Sequence, residues 1–122
     1  MAQRRYPRTA RLDEVVLEVL ASELERLDDP RLDLVTLTGA DVSADLSHAT
    51  VWFAARGDSQ RAAAATALAA AAPRLRSVVG RNVRIKQVPR LDFRADPAIE
   101  AGARVEQVLR EGGRRHDALE DT

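Results

Sequence analysis

The feature that most constrains the fold of this chain is an alanine-rich run over residues 62–72, which ends at Pro73. Alanine has the highest intrinsic helix propensity, so the run predicts a helix that begins after a turn at residues 57–59. A proline inside a helix removes one backbone donor, and its ring clashes with the preceding turn. We therefore expect the helix to break or kink at Ala71, Ala72 and Pro73.

The segments around this run have the periodicities of a mixed α+β domain. Apolar residues at three- and four-residue spacing predict an amphipathic helix over residues 12–27. Alternating residues predict three strands, at 32–42, 47–55 and 81–88. The link between the first two is too short for a crossover helix, so they form an antiparallel hairpin. The break is followed by a short helix over residues 74–79, which ends at Gly80.

The C-terminal part predicts one more helix, over residues 97–111, with Asp96 as its N-cap and Pro97 as its first residue. Three strands with helices on one face of the sheet form a two-layer α+β sandwich. The length of 122 residues suits one domain. We expect it to span residues 12–111, between a basic arm at 1–11 and a disordered tail at 112–122.

Composition excludes several classes of protein. There is no cysteine, which rules out a disulfide framework, a thiol nucleophile and a cysteine-ligated metal. No apolar run approaches the about 20 residues that span a bilayer, and the N-terminus lacks the apolar stretch of a signal peptide. A soluble cytoplasmic protein is the expectation.

Two basic segments are hidden by a net charge of zero, in which 19 basic residues balance 19 acidic ones. The N-terminal arm carries Arg4, Arg5, Arg8 and Arg11. The second segment carries Arg74, Arg76, Arg81, Arg84, Lys86, Arg90 and Arg94, opposed only by Asp92. Such clusters are typical of proteins that bind an anionic partner such as a nucleic acid, and we expect all of these except Arg94 to contact its phosphates. The alternative, that the arginines solvate exposed faces, stays open.

No constellation of residues predicts an enzyme. A glycine-rich phosphate loop is absent, and we expect no cofactor, metal or small-molecule substrate. Ser47 and His48 are adjacent in a predicted strand, so they should point to opposite faces and not form a nucleophile–base pair. Trp52 and Phe53 are also strand neighbours, and we expect one to pack in the core. With so few aromatic residues, we expect a nucleic-acid partner to be bound through shape and phosphates more than through base stacking.

Four short segments together resemble a known family. They are Asp-Pro-Arg-Leu at residues 29–32, Asp-Leu-Ser-His-Ala-Thr-Val at 45–51, Leu-Arg-Ser-Val-Val-Gly at 75–80, and Pro-Arg-Leu-Asp-Phe at 89–93. Their order and spacing resemble the ribosome-binding factor A family, the assembly factors of the bacterial small ribosomal subunit.

The resemblance implies a single type II KH-like domain in which an alanine-centred kink replaces the GXXG loop that approaches phosphates in KH domains. The family kink commonly reads Ala-x-Gly; here it reads Ala71, Ala72, Pro73, and proline cannot donate a backbone hydrogen bond. The resemblance also implies a non-enzymatic factor that binds the immature 30S subunit through 16S rRNA and promotes late maturation of that RNA. We expect it to act as a monomer.

Two other functions remain open at this point. The first is a different KH-like regulator that binds RNA, and the second is a protein-interaction module whose acidic first helix docks on a basic partner.

Overall fold

A computed structural model describes residues 7–98 and Leu109, with the backbone alone for residues 7–9. The elements in chain order are α1 (Pro7–Leu24), a 3₁₀ turn (Pro30–Leu32), β1 (Thr36–Val42), β2 (His48–Ala54), α2 (Asp58–Asn82) and β3 (Arg90–Ala95). The strand order is β1-β2-β3, with β1 antiparallel and β3 parallel to β2. The predicted α+β class with a three-stranded sheet is confirmed.

The two helices pack on one face of the sheet. Side chains alternate along each strand, so every second residue points towards the helices. In β2 the residues Ala49, Val51 and Phe53 are buried, whereas Thr50 and Trp52 between them are half-buried on the other face. The buried side chains meet an apolar stripe from both helices, formed by Val16, Leu20, Leu68, Leu75 and Val79. The prediction that one of the two adjacent aromatic residues packs in the core is confirmed, since Phe53 is 2% exposed.

Helix α2 runs without interruption from Asp58 to Asn82. The predicted division into two helices at Ala71, Ala72 and Pro73 is therefore wrong, as is the predicted end at Gly80. Gly80 instead permits a close approach, because a Cβ atom there would lie 3.0 Å from Cγ2 of Val88.

The helix continues through Pro73 because buried apolar side chains lie on the same face of α2 before and after the proline. Leu68 precedes the proline and Leu75 follows it, and both are fully buried. Burying a large aliphatic side chain contributes about 1.5–3 kcal/mol, which offsets the about 3 kcal/mol that an interior proline costs. The carbonyl of Ala69 has no helical partner, because Pro73 has no N–H to donate to it. Both residues are exposed. The defect therefore faces solvent.

The third strand is not at residues 81–88, as predicted, but at Arg90–Ala95. Over residues 83–86 the predicted alternation places side chains correctly, since Val83 is buried while Arg84 and Lys86 are exposed. It is wrong at the next two positions, where Gln87 is exposed and Val88 is half-buried. The segment does not pair with a neighbouring strand because a side chain of α2, described below, binds its last two carbonyls. Pro89 also has no N–H to donate. Pairing starts where Arg90 N donates to the Ser47 carbonyl at 3.0 Å.

Other boundaries shift by a few residues. α1 begins at Pro7, so residues 7–11 of the predicted arm are helical. Asp96 caps the predicted last helix, because its Oδ1 accepts from Ala98 N at 3.0 Å. Beyond Ala98, the predicted helix and the tail lie outside the described residues, apart from Leu109, which is helical and exposed. Among the helices described, none has the length and apolarity needed to cross a membrane.

Candidate nucleic-acid interface

Arg76 of α2 fixes the loop that carries several of the predicted basic residues. Its Nη2 donates to the Val88 carbonyl at 2.8 Å and its Nε to the Pro89 carbonyl at 3.1 Å. Two bonds from one planar guanidinium define both the position and the orientation of what they hold. The sequence predicts a phosphate contact for Arg76; in the fold its side chain positions the loop.

The loop at residues 83–89 presents cations on its outer side. Arg84 and Lys86 are exposed, and so is Arg90, the first residue of β3. Within the part of the chain that the structure describes, none of the three has an ion pair. Arg81 lies close by in the last turn of α2, exposed, with its Nη1 on Ser77 Oγ at 3.1 Å. We refer to Arg81, Arg84, Lys86 and Arg90 as the basic end.

The turn between β1 and β2 packs beside this loop, since Gln87 Nε2 donates to the Leu46 carbonyl at 3.1 Å. Leu46 has a φ of 63°, which is unfavourable for leucine. Asp45 stabilises the turn: its Oδ1 accepts from Ser47 Oγ at 2.7 Å, Ser43 Oγ at 2.7 Å and Ser47 N at 3.0 Å. These hydrogen bonds, that from the Ser47 hydroxyl foremost, lower the pKa of Asp45 to about 2.

Ser47 and His48 do not point to opposite faces, so that prediction is wrong. β2 begins at His48, and strand alternation does not extend to the residue before it. Ser47 Oγ lies 3.1 Å from His48 Nδ1 and also donates to Asp45. The serine is therefore engaged within the turn. His48 is paired in register with Arg90, beside the basic end. No group of three potential metal-ligating side chains is found among the described residues.

The start of α1 lies at the same end of the sheet. Asp13 is buried, and its Oδ1 accepts from the backbone N of Val42, the last residue of β1, at 2.7 Å. Arg11 is exposed two residues before it. Arg8 belongs to the first turn of α1 by its backbone, and Arg4 and Arg5 lie outside the described residues. The fold thus directs the described part of the arm towards the basic end.

Arg74 is separate from the basic end. Its Nε and Nη2 lie 3.1 and 3.0 Å from Oε2 of Glu23, a buried residue of α1. This ion pair joins the two helices and neutralises Arg74. The pattern of basic residues along the sequence does not reveal the pair, because its members are 51 residues apart.

The predicted kink residues do not form a phosphate cradle. Ala71 and Ala72 are half-buried, and Pro73 is exposed within α2. In an α-helix the N–H groups point along the axis to carbonyls one turn earlier, so they are not available to a ligand. Anion contact in this region depends on side chains.

The sheet face away from the helices carries Trp52, half-buried and packed over Gly39, where an added Cβ would lie 3.5 Å from the indole Cε3. Its neighbour in register on β3 is Arg94, which is paired with Asp92 at 2.8 Å. Among the described residues, Trp52 is the aromatic ring on this face.

The first of the family-like segments forms a local clamp. Asp29 caps the 3₁₀ turn by accepting from Arg31 N at 3.0 Å, and the Arg31 guanidinium binds the same carboxylate through Nε at 3.0 Å and Nη2 at 2.7 Å. The side-chain hydrogen bond from Arg31 lowers the pKa of Asp29. Leu32, the last residue of the segment, is buried in the core. These residues therefore serve the fold and not the basic end.

A helix, an antiparallel hairpin, a second helix and a parallel third strand, with both helices on one face, define a KH-like α+β domain of the type II order, here with cations at one end. The sequence profile of ribosome-binding factor A matches residues 8–109, and the chain belongs to the ribosome-binding factor A family.

Individual relatives agree with this assignment. The ribosome-binding factor A of Rubrobacter xylanophilus is 40% identical over 105 residues, which cover 85% of this chain and 86% of that one. The crystal structure of ribosome-binding factor A from Thermus thermophilus superposes with a TM-score of 0.66 at 35% identity, covering 70% of this chain and 92% of that one. A homology model of the Thermus thermophilus protein, fitted into a cryo-electron microscopy map of a 30S complex, gives a TM-score of 0.61 at 35% identity, covering 73% and 96%.

Proposed function

We propose that this protein is an assembly factor that binds the immature 30S subunit through 16S rRNA and promotes late maturation of that RNA without catalysing a reaction. It acts in the cytoplasm as a monomer. The family assignment supports this function, as does the Thermus thermophilus relative fitted into the map of a 30S complex.

The observation that carries the RNA contact is the distribution of unpaired cations. Arg31, Arg74 and Arg94 are held by carboxylates. Arg84, Lys86 and Arg90, next to Arg81, are exposed and have no carboxylate partner within the described residues. Phosphate contacts from such side chains give affinity that does not depend on base sequence.

The test compares two single charge reversals in a sedimentation assay with purified immature 30S subunits. Arg84→Glu lies in the basic end. Arg56→Glu makes the same change at an exposed arginine that follows β2, at the opposite end of the sheet. We expect Arg84→Glu to weaken binding at least tenfold and Arg56→Glu to leave it within twofold. Equal effects of the two variants would remove the basic end from the interface.

Salt dependence measures how many phosphates are contacted. With four cations at the basic end engaged, log K should fall against log salt with a slope of about −3 to −4. We propose that the arm at residues 1–11 adds phosphate contacts through Arg4, Arg5, Arg8 and Arg11 to those of the domain at residues 12–111. Deleting residues 1–6 should then make the slope about 1.5 less steep, whereas deleting the tail at residues 112–122 should leave it unchanged.

A further inference from the structure

An apolar surface surrounds Leu34, at the end of the sheet where β1 begins and β2 stops. Leu34 is 74% exposed and lies in the turn before β1. On one side it lines a groove of 390 Å³, together with Pro30, Val35, Ala55 and Ala63. On the other side of Val35 a second groove, of 410 Å³, is lined by Leu24, Leu27 and Leu37. Each volume falls within the about 300–1,000 Å³ of clefts that receive ligand groups.

Carboxylates surround this surface. Asp33 lines both grooves and Glu25 lines the second; both are exposed, as is Asp28 nearby. None of the three forms an ion pair within the described ranges. Two arginines at this end, Arg31 and Arg61, are bound to Asp29 and Asp58. Arg56 has no ion pair within the described residues, and Arg26 lies 4.0 Å from Glu23. Three exposed carboxylates without an ion pair therefore line or flank the grooves, against these two cations.

The grooves and the basic end lie at opposite ends of the molecule. Strand β2 connects the two ends, and its seven residues span about 20 Å. That distance is about twice the screening length at physiological ionic strength, so each end acts on its surroundings separately. The acidic rim repels phosphate and attracts positive charge.

We propose that the Leu34 surface binds a basic segment of another protein, which inserts an apolar side chain into the grooves while its lysines or arginines meet Asp33 and Glu25. Leu34 supplies an apolar contact that is already exposed, and the carboxylates select against acidic and RNA partners. This proposal does not depend on the function proposed for the basic end.

The probe is a fluorescein-labelled peptide of twelve lysines in which two central residues are replaced by leucine, titrated with the full chain and followed by anisotropy. We expect saturable binding that weakens at least fivefold with Leu34→Ala and at least fivefold with Asp33→Lys. The matched control for Leu34→Ala is Leu109→Ala, at the other large exposed apolar residue described. The control for Asp33→Lys is Glu14→Lys, on the first half of α1. Each control should change the affinity for the peptide less than twofold.

Four results would overturn the proposal. The first is the absence of saturable binding, and the second is equal loss in the variants and their controls. The third is a concentration-dependent dimer in sedimentation velocity that disappears with Leu34→Ala, which would assign the surface to a second copy of this chain. An all-lysine peptide that binds as tightly as the leucine-containing one would likewise exclude an apolar contact.

Discussion

Replacing Arg74 is expected to destabilise the fold, although its place in a basic cluster predicts an RNA contact. The Glu23 carboxylate is 8% exposed, whereas the Arg74 side chain is 60% exposed. Oε2 of Glu23 accepts from Arg74 Nε at 3.1 Å, and the other nearby cation, Arg26, lies 4.0 Å from Oε1. Arg74→Ala therefore leaves a buried carboxylate with one distant partner, whereas Glu23→Gln leaves a solvated guanidinium and no buried charge.

The magnitude follows from this asymmetry. Removing one partner of a fully buried pair costs about 3–5 kcal/mol, and an exposed pair contributes about 0–1 kcal/mol. Because only the carboxylate is buried here and Arg26 remains near it, we expect Arg74→Ala to cost about 1–3 kcal/mol. Glu23→Gln keeps a hydrogen-bond acceptor and should cost less than about 1 kcal/mol.

Urea unfolding followed by the fluorescence of Trp52, the only tryptophan in the sequence, measures both values. Arg81→Ala is the control, because it truncates an exposed arginine of the same helix that has no carboxylate partner within the described residues. Measured on folded protein, Arg74→Ala should bind 30S subunits within twofold of the wild type. The reasoning is refuted if Arg74→Ala is as stable as Arg81→Ala, or if Glu23→Gln is the more destabilising change.

Three further substitutions test the loop and the turn. Gly80→Ala should destabilise the fold by about 1 kcal/mol, because overpacking against Val88 outweighs the gain in helix propensity; Gly80→Ala combined with Val88→Ala should recover the loss in urea unfolding, and no recovery would contradict the contact. In Arg76→Lys the ammonium group cannot bind both carbonyls as the planar guanidinium does, so we expect subunit binding in sedimentation to weaken at least threefold. The control Arg31→Lys breaks a similar pair of hydrogen bonds away from the basic end and should leave binding unchanged. The lowered pKa of Asp45 contributes stability that is fully present above its ordinary value of 3.8 and is lost as pH falls towards about 2. The stability difference between wild type and Asp45→Asn in urea should therefore shrink between pH 5 and pH 2, and a constant difference would show that the serine bonds do not favour the charged form.

Much of this fold is predictable from local patterns. Alternation along residues 83–86 places Arg84 and Lys86 outside and Val83 inside, even though the segment is not a strand. The reason is that alternation reports which side chains are buried, whereas a strand also requires a partner for its backbone. Here the Val88 and Pro89 carbonyls are bound by the Arg76 side chain and not by a neighbouring strand. No local sequence pattern reveals these two hydrogen bonds.

Two errors come from tertiary packing that overrides a local preference. Pro73 is a strong signal for the end of a helix, but the burial of Leu68 and Leu75 on one stripe keeps α2 continuous. Gly80 is a frequent C-terminal signal, yet its position is explained by the approach of Val88. Both predictions rest on the identity of one residue and its neighbours in the sequence. The structure is decided by tertiary contacts instead, those of the buried leucines with the core and that of Gly80 with Val88.

The residues of the second basic segment lie close together in the sequence, and the fold separates Arg74 and Arg94 from the others by pairing each with a carboxylate. The pairs Asp29–Arg31 and Asp92–Arg94 join residues two positions apart, but the pair Glu23–Arg74 depends on how α1 packs against α2. Acidic α1 therefore does not act as one solvated surface, because Glu23 belongs to the interior and holds Arg74.

The net charge of zero then acquires a spatial meaning. Within the described residues, internal pairs remove Arg31, Arg74 and Arg94 from the exposed positive charge. Exposed cations without an ion pair lie at the loop before β3, and exposed carboxylates without one lie around Leu34. A phosphate surface attracts the basic end and repels the carboxylates around Leu34 when either comes within a screening length of it, so both interactions favour approach by the basic end. With the RNA contact proposed for the basic end, the end that carries Leu34 would lie about 20 Å from the phosphates, the length of β2. The grooves beside Leu34 would then be accessible to a protein.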